Sequence, residues 1–66
     1  MKGLPIVLDA VRRSTPGGGV TSSGLARTLD MRQTWVDRRL IHLRSRGLIT
    51  GGIDEHTRSY VFKVVK

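Results

Sequence analysis

Residues 25–49 read LARTLDMRQTWVDRRLIHLRSRGLI, and this stretch decides the fold of the 66-residue chain. At 100° per residue, four of its residues lie within about 60° of arc on one helical face. They are Val36, Leu40, Leu43 and Gly47. This spacing predicts a helix over residues 32–46 with one buried stripe, and the glycine suits the left-handed backbone at which many helices end. Asp30 interrupts the apolar pattern ahead of this helix and predicts a tight turn.

Two shorter helices are predicted ahead of that turn. Apolar residues at the i, i+3, i+4, i+7 spacing of one helical face predict a helix over residues 4–14. These residues are Leu4, Val7, Leu8 and Val11, with Pro5 suited to the first turn. Residues 14–19 contain a proline and three glycines, so we predict a loop there, and Val20 forms at most a very short strand. Thr21 is the predicted N-cap of a second helix that runs through Leu29.

After the long helix, the sequence changes to residues that strands prefer. Residues 48–49 begin an extended run, and residues 59–65 are rich in aromatic and β-branched side chains. Between these runs, residues 51–57 are predicted to close a hairpin. Tyr60 and Phe62 fall on one face of the second strand, and we predict that both belong to the core. The predicted order is therefore three helices and a β-hairpin, an α+β class.

The charge balance favours a polyanionic partner. Twelve Lys and Arg against five Asp and Glu give a formal net charge of +7 at pH 7, and such a field attracts nucleic acid. Nine of these cations are arginine, whose planar group grips a phosphate or a guanine edge through two parallel hydrogen bonds. Five arginines lie between Arg32 and Arg46, opposed only by Asp37. Over half of the net charge is therefore carried by the long predicted helix.

Length and composition exclude several classes of protein. A chain of 66 residues has room for one small core, so residues 1–66 are interpreted as a single domain. It has no cysteine for disulfides or thiolate chemistry, and no apolar run approaches the roughly 20 residues of a membrane span. We therefore expect a cytoplasmic protein with no membrane partner. His42 and His56 are too few for a metal site, and residues 17–22 lack the lysine of a phosphate loop. We predict no catalytic residue, no metal and no cofactor.

The quoted stretch resembles a known family. Its LARTLDM start, its apolar spacing and its closing RGLI match the pattern LAxxLxh…VxxxLxxLxxxGLI of bacterial and archaeal winged helix-turn-helix regulators. Ala26 lies where the pattern has a small residue, because the second and third helices cross closely there. The resemblance covers residues 4–64 and implies a winged helix-turn-helix, with the hairpin as the wing. The short stand-alone regulators of fimbrial operons are similar in size and in residues 60–62, Tyr-Val-Phe.

The resemblance also implies how the chain contacts DNA. The third helix enters the major groove and presents the face opposite its buried stripe to the bases. The implied base contacts are Gln33, Thr34, Asp37 and Arg38. Arg38 suits guanine, Gln33 suits adenine, and Thr34 suits a thymine methyl group or a phosphate. Phosphate contacts are assigned to arginines at the ends and sides of the helix and in the wing. These are Arg32, Arg39, Arg44, Arg46 and Arg58.

Three positions on the third helix have two interpretations each. Gln33 either contacts adenine or, with Asp30 as the N-cap, reaches back in a capping box. Asp37 either pairs with an arginine of the helix or accepts a hydrogen bond from a cytosine amino group. Trp35 either packs against the first helix, the wing or a partner, or it contacts nucleic acid through its ring.

Two functions follow from these observations. The first is sequence-specific binding of double-stranded DNA by a transcription regulator. It would act as a homodimer or beside a larger DNA-binding partner, because one recognition helix reads only about four or five base pairs. The second is a protein interaction module in a larger regulatory, phage or toxin–antitoxin complex, which apolar Ile41 and Trp35 near the same face would serve. RNA binding is less favoured, because the chain lacks an aromatic stacking platform.

Overall fold

Three α-helices precede a two-stranded antiparallel hairpin in the computed structural model, which describes residues 1–65. The elements are α1 (Leu4–Ser14), α2 (Ser22–Leu29), α3 (Gln33–Ser45), β1 (Ile49–Ile53) and β2 (Tyr60–Val64). This order confirms the predicted α+β class of three helices followed by a hairpin. No helix in this described part of the chain has the length and apolarity that a membrane crossing requires.

The helix ends follow local signals in the sequence. Thr21 is the N-cap of α2, as predicted, and its hydroxyl oxygen accepts a hydrogen bond from an amide of the first turn at 3.0 Å. Helix α3 is one residue shorter at each end than predicted, because Arg32 and Arg46 are its caps. Gly47 follows with a φ of 76°, the left-handed conformation predicted for it. Both predicted helix termini of the central stretch are therefore accurate to within one residue.

Asp30 forms the turn between α2 and α3. It is the C-cap of α2, with φ 54° and ψ 46°, a conformation that aspartate tolerates better than most residues. The amide of Met31 donates to the carbonyl of Ala26 at 2.9 Å and continues the turn. Since Asp30 ends α2 and Arg32 caps α3, the alternative in which Asp30 and Gln33 form a capping box is wrong.

The core lies between the three helices and the base of the hairpin. Eight residues form one buried cluster: Val7, Val11, Leu25, Ala26, Val36, Leu40, Leu43 and Ile49. The predicted stripes on α1 and α3 supply five of them. Ala26 is only 7% exposed, consistent with its predicted place at the close packing of α2 and α3. Among residues 1–65 no polar or charged residue is buried, so every charged group on α3 reaches solvent.

The hairpin is joined to the helices through the segment that follows α1. Thr15–Gly17 form one 3-10 turn, where we predicted only a loop. The Thr15 hydroxyl donates to the Val11 carbonyl at 2.8 Å and accepts from the Val64 amide at 3.1 Å, so it connects α1 to β2. Val20 forms the predicted very short strand, a single antiparallel bridge to Phe62.

The position of the hairpin turn differs from the prediction. Strand β1 runs through Gly51 and Gly52, and the turn comprises residues 54–59. The Tyr60 ring lies over Gly51, where a Cβ atom would be 2.5 Å from the tyrosine hydroxyl oxygen. Gly51 is thus a strand residue, and its lack of a side chain leaves space for the Tyr60 ring. Tyr60 is 41% exposed, so its prediction as a core residue was wrong. Phe62 is half-buried against the core, with its ring centroid 5.2 Å from that of Tyr60.

Candidate nucleic-acid interface

One face of α3 is open to solvent. Four residues opposite the buried stripe are exposed: Thr34, Arg38, Ile41 and Ser45. Gln33 is also exposed, and Asp37 is half-buried beside them. All four residues that the sequence predicts as base contacts therefore lie on the N-terminal half of one helix, and none of them is buried.

The arginines along α3 differ from those of α1 in their electrostatic partners. In residues 1–65 the ion pairs are those of Asp9 with Arg12 and Arg13, at 3.4 and 3.0 Å, all within α1. No arginine between residues 32 and 46 forms an ion pair in this range, and neither does Asp37. The predicted pairing of Asp37 with a helix arginine is absent from the structure. Helix α3 and its caps thus present cationic groups that no carboxylate neutralises.

Arg39 is the exception among these arginines, because its guanidinium is already used by the fold. Its Nε donates to the Lys2 carbonyl at 2.8 Å, and its Nη1 donates to the Trp35 carbonyl at 3.0 Å. The guanidinium carbon lies 3.8 Å from the centroid of the Trp35 ring. A Cβ atom on Gly3 would lie 2.5 Å from that ring, so the indole packs against the start of α1. This contact fits the interpretation in which Trp35 packs against the first helix. Arg39 thus has a structural role, and its phosphate contact stays a prediction.

Gln33 connects the starts of two helices. Its side-chain amide donates to the Ser22 hydroxyl oxygen at 3.1 Å, and these are the first residues of α3 and α2. Both side chains remain accessible. A contact between Gln33 and a base would have to share or replace this hydrogen bond. Ser22 is not among the residues predicted from the sequence, although the run of hydroxyl residues at the start of α2 signals a polar contact there.

The wing is joined to the C-terminal half of α3 through a tyrosine. Arg44 Nη1 donates to the Tyr60 hydroxyl oxygen at 2.8 Å, and both residues are exposed. Arg44 is thus held beside the wing while its remaining donors stay free for a ligand. This role of Tyr60 is not predicted from the sequence, because an aromatic residue in a strand is usually a core residue.

The wing tip is an ordered turn. The Asp54 carboxylate accepts from the His56 amide at 2.9 Å, and the Asp54 carbonyl accepts from the Arg58 amide at 2.7 Å. Arg58 has a φ of 57° and is exposed. This places the predicted phosphate-binding cation of the wing at the surface of the tip. Within the described range, no three His, Asp or Glu residues are grouped as a metal site would require.

Comparisons with known proteins found similarity in three-dimensional structure but not in sequence. No protein-family model matches the sequence, and no curated protein matches it. Three solved structures of MepR from S. aureus match the fold. A MepR mutant from a multidrug-resistant clinical isolate has a TM-score of 0.84 at 20% sequence identity, and the match covers 98% of this chain and 47% of that one. A second MepR mutant has a TM-score of 0.84 at 19% identity, covering 100% of this chain and 48% of that one.

The third match is a MepR–DNA complex. Its TM-score is 0.82 at 17% identity, and it covers 100% of this chain and 47% of the MepR chain. This chain therefore spans about half the length of the MepR chains it matches. At these identities the matches establish the architecture. The chain has the winged helix-turn-helix fold that its sequence predicted.

Proposed function

We propose that this chain binds duplex DNA sequence-specifically as a transcription regulator, with α3 in the major groove. The observation that carries the proposal is the exposed face of α3, where arginines without a carboxylate partner flank accessible polar residues. A DNA phosphate backbone supplies the negative charge that these arginines lack. The match to a MepR–DNA complex supports the same use of the fold.

Different residues of α3 serve affinity and sequence discrimination. Arg38 and Thr34 lie on the outermost face of the N-terminal half, and we assign them to base edges together with Asp37. Gln33 also contacts a base edge, but only at a site where an adenine competes with the Ser22 hydroxyl for the Gln33 side-chain amide. Arginines at the ends of α3, beside the wing and at its tip are assigned to phosphates. These are Arg32, Arg44, Arg46 and Arg58, while Arg39 supports the helix.

We also propose that two DNA-binding units act together. A single recognition helix reads about four or five base pairs, which is too few to specify an operator. The chain therefore binds as a homodimer or beside a larger DNA-binding protein, on the nucleoid in the cytoplasm. Sedimentation of the complex with a selected duplex measures how many chains one site holds.

Fluorescence anisotropy with a labelled random-sequence duplex tests the DNA-binding part of the proposal over a range of salt concentrations from about 50 mM upward. The native chain is compared with an Arg38→Ala, Arg44→Ala double variant. We expect the native affinity to fall steeply with salt. The variant should bind at least about tenfold more weakly, and its salt slope should be smaller by about one for each lost phosphate contact.

The matched control is an Arg12→Ala, Arg13→Ala double variant. It removes two positive charges from α1, where both arginines share the Asp9 carboxylate as their ion-pair partner, so we expect an affinity within about twofold of the native value. Equal losses in both variants would mean that the chain attracts DNA only through its net charge. Absence of binding near 50 mM salt would contradict the proposal and favour the protein interaction module.

A further inference from the structure

Ile41 is an apolar side chain on the most polar face of the molecule. It is 69% exposed, the largest exposed fraction among the large hydrophobic residues of 1–65. It lies on α3 with Thr34, Arg38 and Ser45, opposite the buried stripe. Core packing therefore does not account for it, and isoleucine is a poorer helix former than the straight-chain polar residues that suit such a position.

The surroundings of Ile41 are unsuited to a protein partner. On a helix surface, its neighbours lie three and four residues away, and all of these are polar: Asp37, Arg38, Arg44 and Ser45. Protein-binding surfaces have contiguous apolar patches with charge depleted at the centre. An isolated isoleucine surrounded by charged and polar groups fits a small apolar group within an otherwise polar ligand.

The major groove of DNA presents such a group. Each pyrimidine 5-methyl group projects into the groove between hydrogen-bonding edges, and apolar side chains recognise it by contact. Ile41 follows Arg38 by three residues, a rise of about 4.5 Å along the helix axis. That distance is close to one base-pair step of about 3.4 Å. Arg38 on a guanine would therefore place Ile41 beside a neighbouring base pair.

We infer that Ile41 reads the 5-methyl group of a pyrimidine next to the base bound by Arg38, and so determines specificity at that step. The inference rests on the proposed binding of duplex DNA. Thymine carries this methyl group in unmodified DNA, and 5-methylcytosine carries it in modified DNA. Both offer the same contact.

Removal of single methyl groups from the DNA tests the inference. A duplex is first selected for tight binding from a random pool, and each thymine in the bound site is then replaced in turn by deoxyuridine. This removes the methyl group and keeps every hydrogen-bonding atom. For the native chain, we expect about three- to fivefold weaker binding at one or two positions, the effect of one buried methyl group. In an Ile41→Ala variant, the same replacements should change affinity by less than about 1.5-fold.

A second arm identifies the source of the methyl group. Cytosines in the bound site are replaced in turn by 5-methylcytosine. A gain of about three- to fivefold at one step, found with the native chain and lost in Ile41→Ala, would assign the site to methylated cytosine. The control is Ile6→Ala, which removes an isoleucine with 59% exposure from α1 and should keep the native response to every replacement.

The outcomes separate this inference from the proposed function. Binding that depends on Arg38 but ignores deoxyuridine and 5-methylcytosine at every position would overturn the role of Ile41 and leave DNA binding intact. Equal responses of native chain and Ile41→Ala would assign the methyl contact to another residue and overturn the inference. Absence of binding to any duplex would contradict both the proposed DNA binding and the role of Ile41.

Discussion

Adjacent residues on α3 have opposite surroundings. Leu40 is 1% exposed and Ile41 is 69% exposed. The Arg39 guanidinium is held by Lys2 and Trp35, whereas the Arg38 guanidinium has no hydrogen-bond or ion-pair partner within the described residues. Because successive helical residues point about 100° apart, one step along the chain separates residues that stabilise the fold from residues available to a ligand. Paired substitutions of neighbours therefore test both assignments.

The largest expected difference is between Leu40→Ala and Ile41→Ala. Truncation of buried Leu40 leaves a cavity in the core and should lower the free energy of unfolding by about 2–5 kcal/mol. That loss approaches the whole stability of a domain this small. Truncation of Ile41 should change it by less than about 0.5 kcal/mol. Urea unfolding followed by circular dichroism measures both values. Similar losses for the two variants would show that Ile41 packs against the fold.

The difference in the free energy of unfolding between Arg38→Ala and Arg39→Ala should be smaller. Loss of Arg39 removes a cation–π contact and two hydrogen bonds, and we expect the free energy of unfolding to fall by about 1–2 kcal/mol. Loss of Arg38 should leave stability within about 0.5 kcal/mol and weaken DNA binding about tenfold or more. Thermal unfolding and anisotropy on the same samples measure the two effects. An Arg39→Ala variant as stable as the native chain would contradict the stabilising role of Arg39.

The smallest effect is expected at the contact between α3 and the wing. Tyr60→Phe removes only the hydroxyl that accepts from Arg44, so the melting temperature should change little. DNA affinity should fall about two- to threefold, as expected for one exposed hydrogen bond that positions a cation. In an Arg44→Ala background, the same substitution should have no further effect on affinity. Additive losses in the double variant would show that Tyr60 acts independently of Arg44.

Local sequence patterns were sufficient to predict the helices. The periodicity of α3, the N-cap at Thr21 and the left-handed Gly47 that follows the C-cap of α3 depend on residues within one or two turns, so they can be identified without knowledge of the rest of the chain. The exposed face of α3 followed directly, since it is the side opposite the buried stripe. The arginines at its ends and sides were placed by the same spacing, and their phosphate contacts stay a prediction.

Contacts between distant residues could not be predicted in the same way. Arg39 and Lys2 are 37 residues apart, and no spacing rule associates an arginine with a backbone carbonyl so far away. Gly51 was interpreted as a turn residue, because the ring that requires its missing side chain belongs to Tyr60 on the other strand. In both cases the partner is brought close only by the complete fold. The prediction of a buried Tyr60 failed for the same reason.

The hydrogen bond from Arg39 to the Lys2 carbonyl makes the charge displayed by α3 depend on how the chain starts. A variant shortened to begin at Leu4 lacks both this acceptor and the glycine beside Trp35. Its Arg39 guanidinium would keep its contacts with Trp35 but would have one more donor available to solvent or to a ligand, without a change in the sequence of α3. If the proposed function holds, removal of the first three residues would change DNA affinity through a segment that lies outside α3.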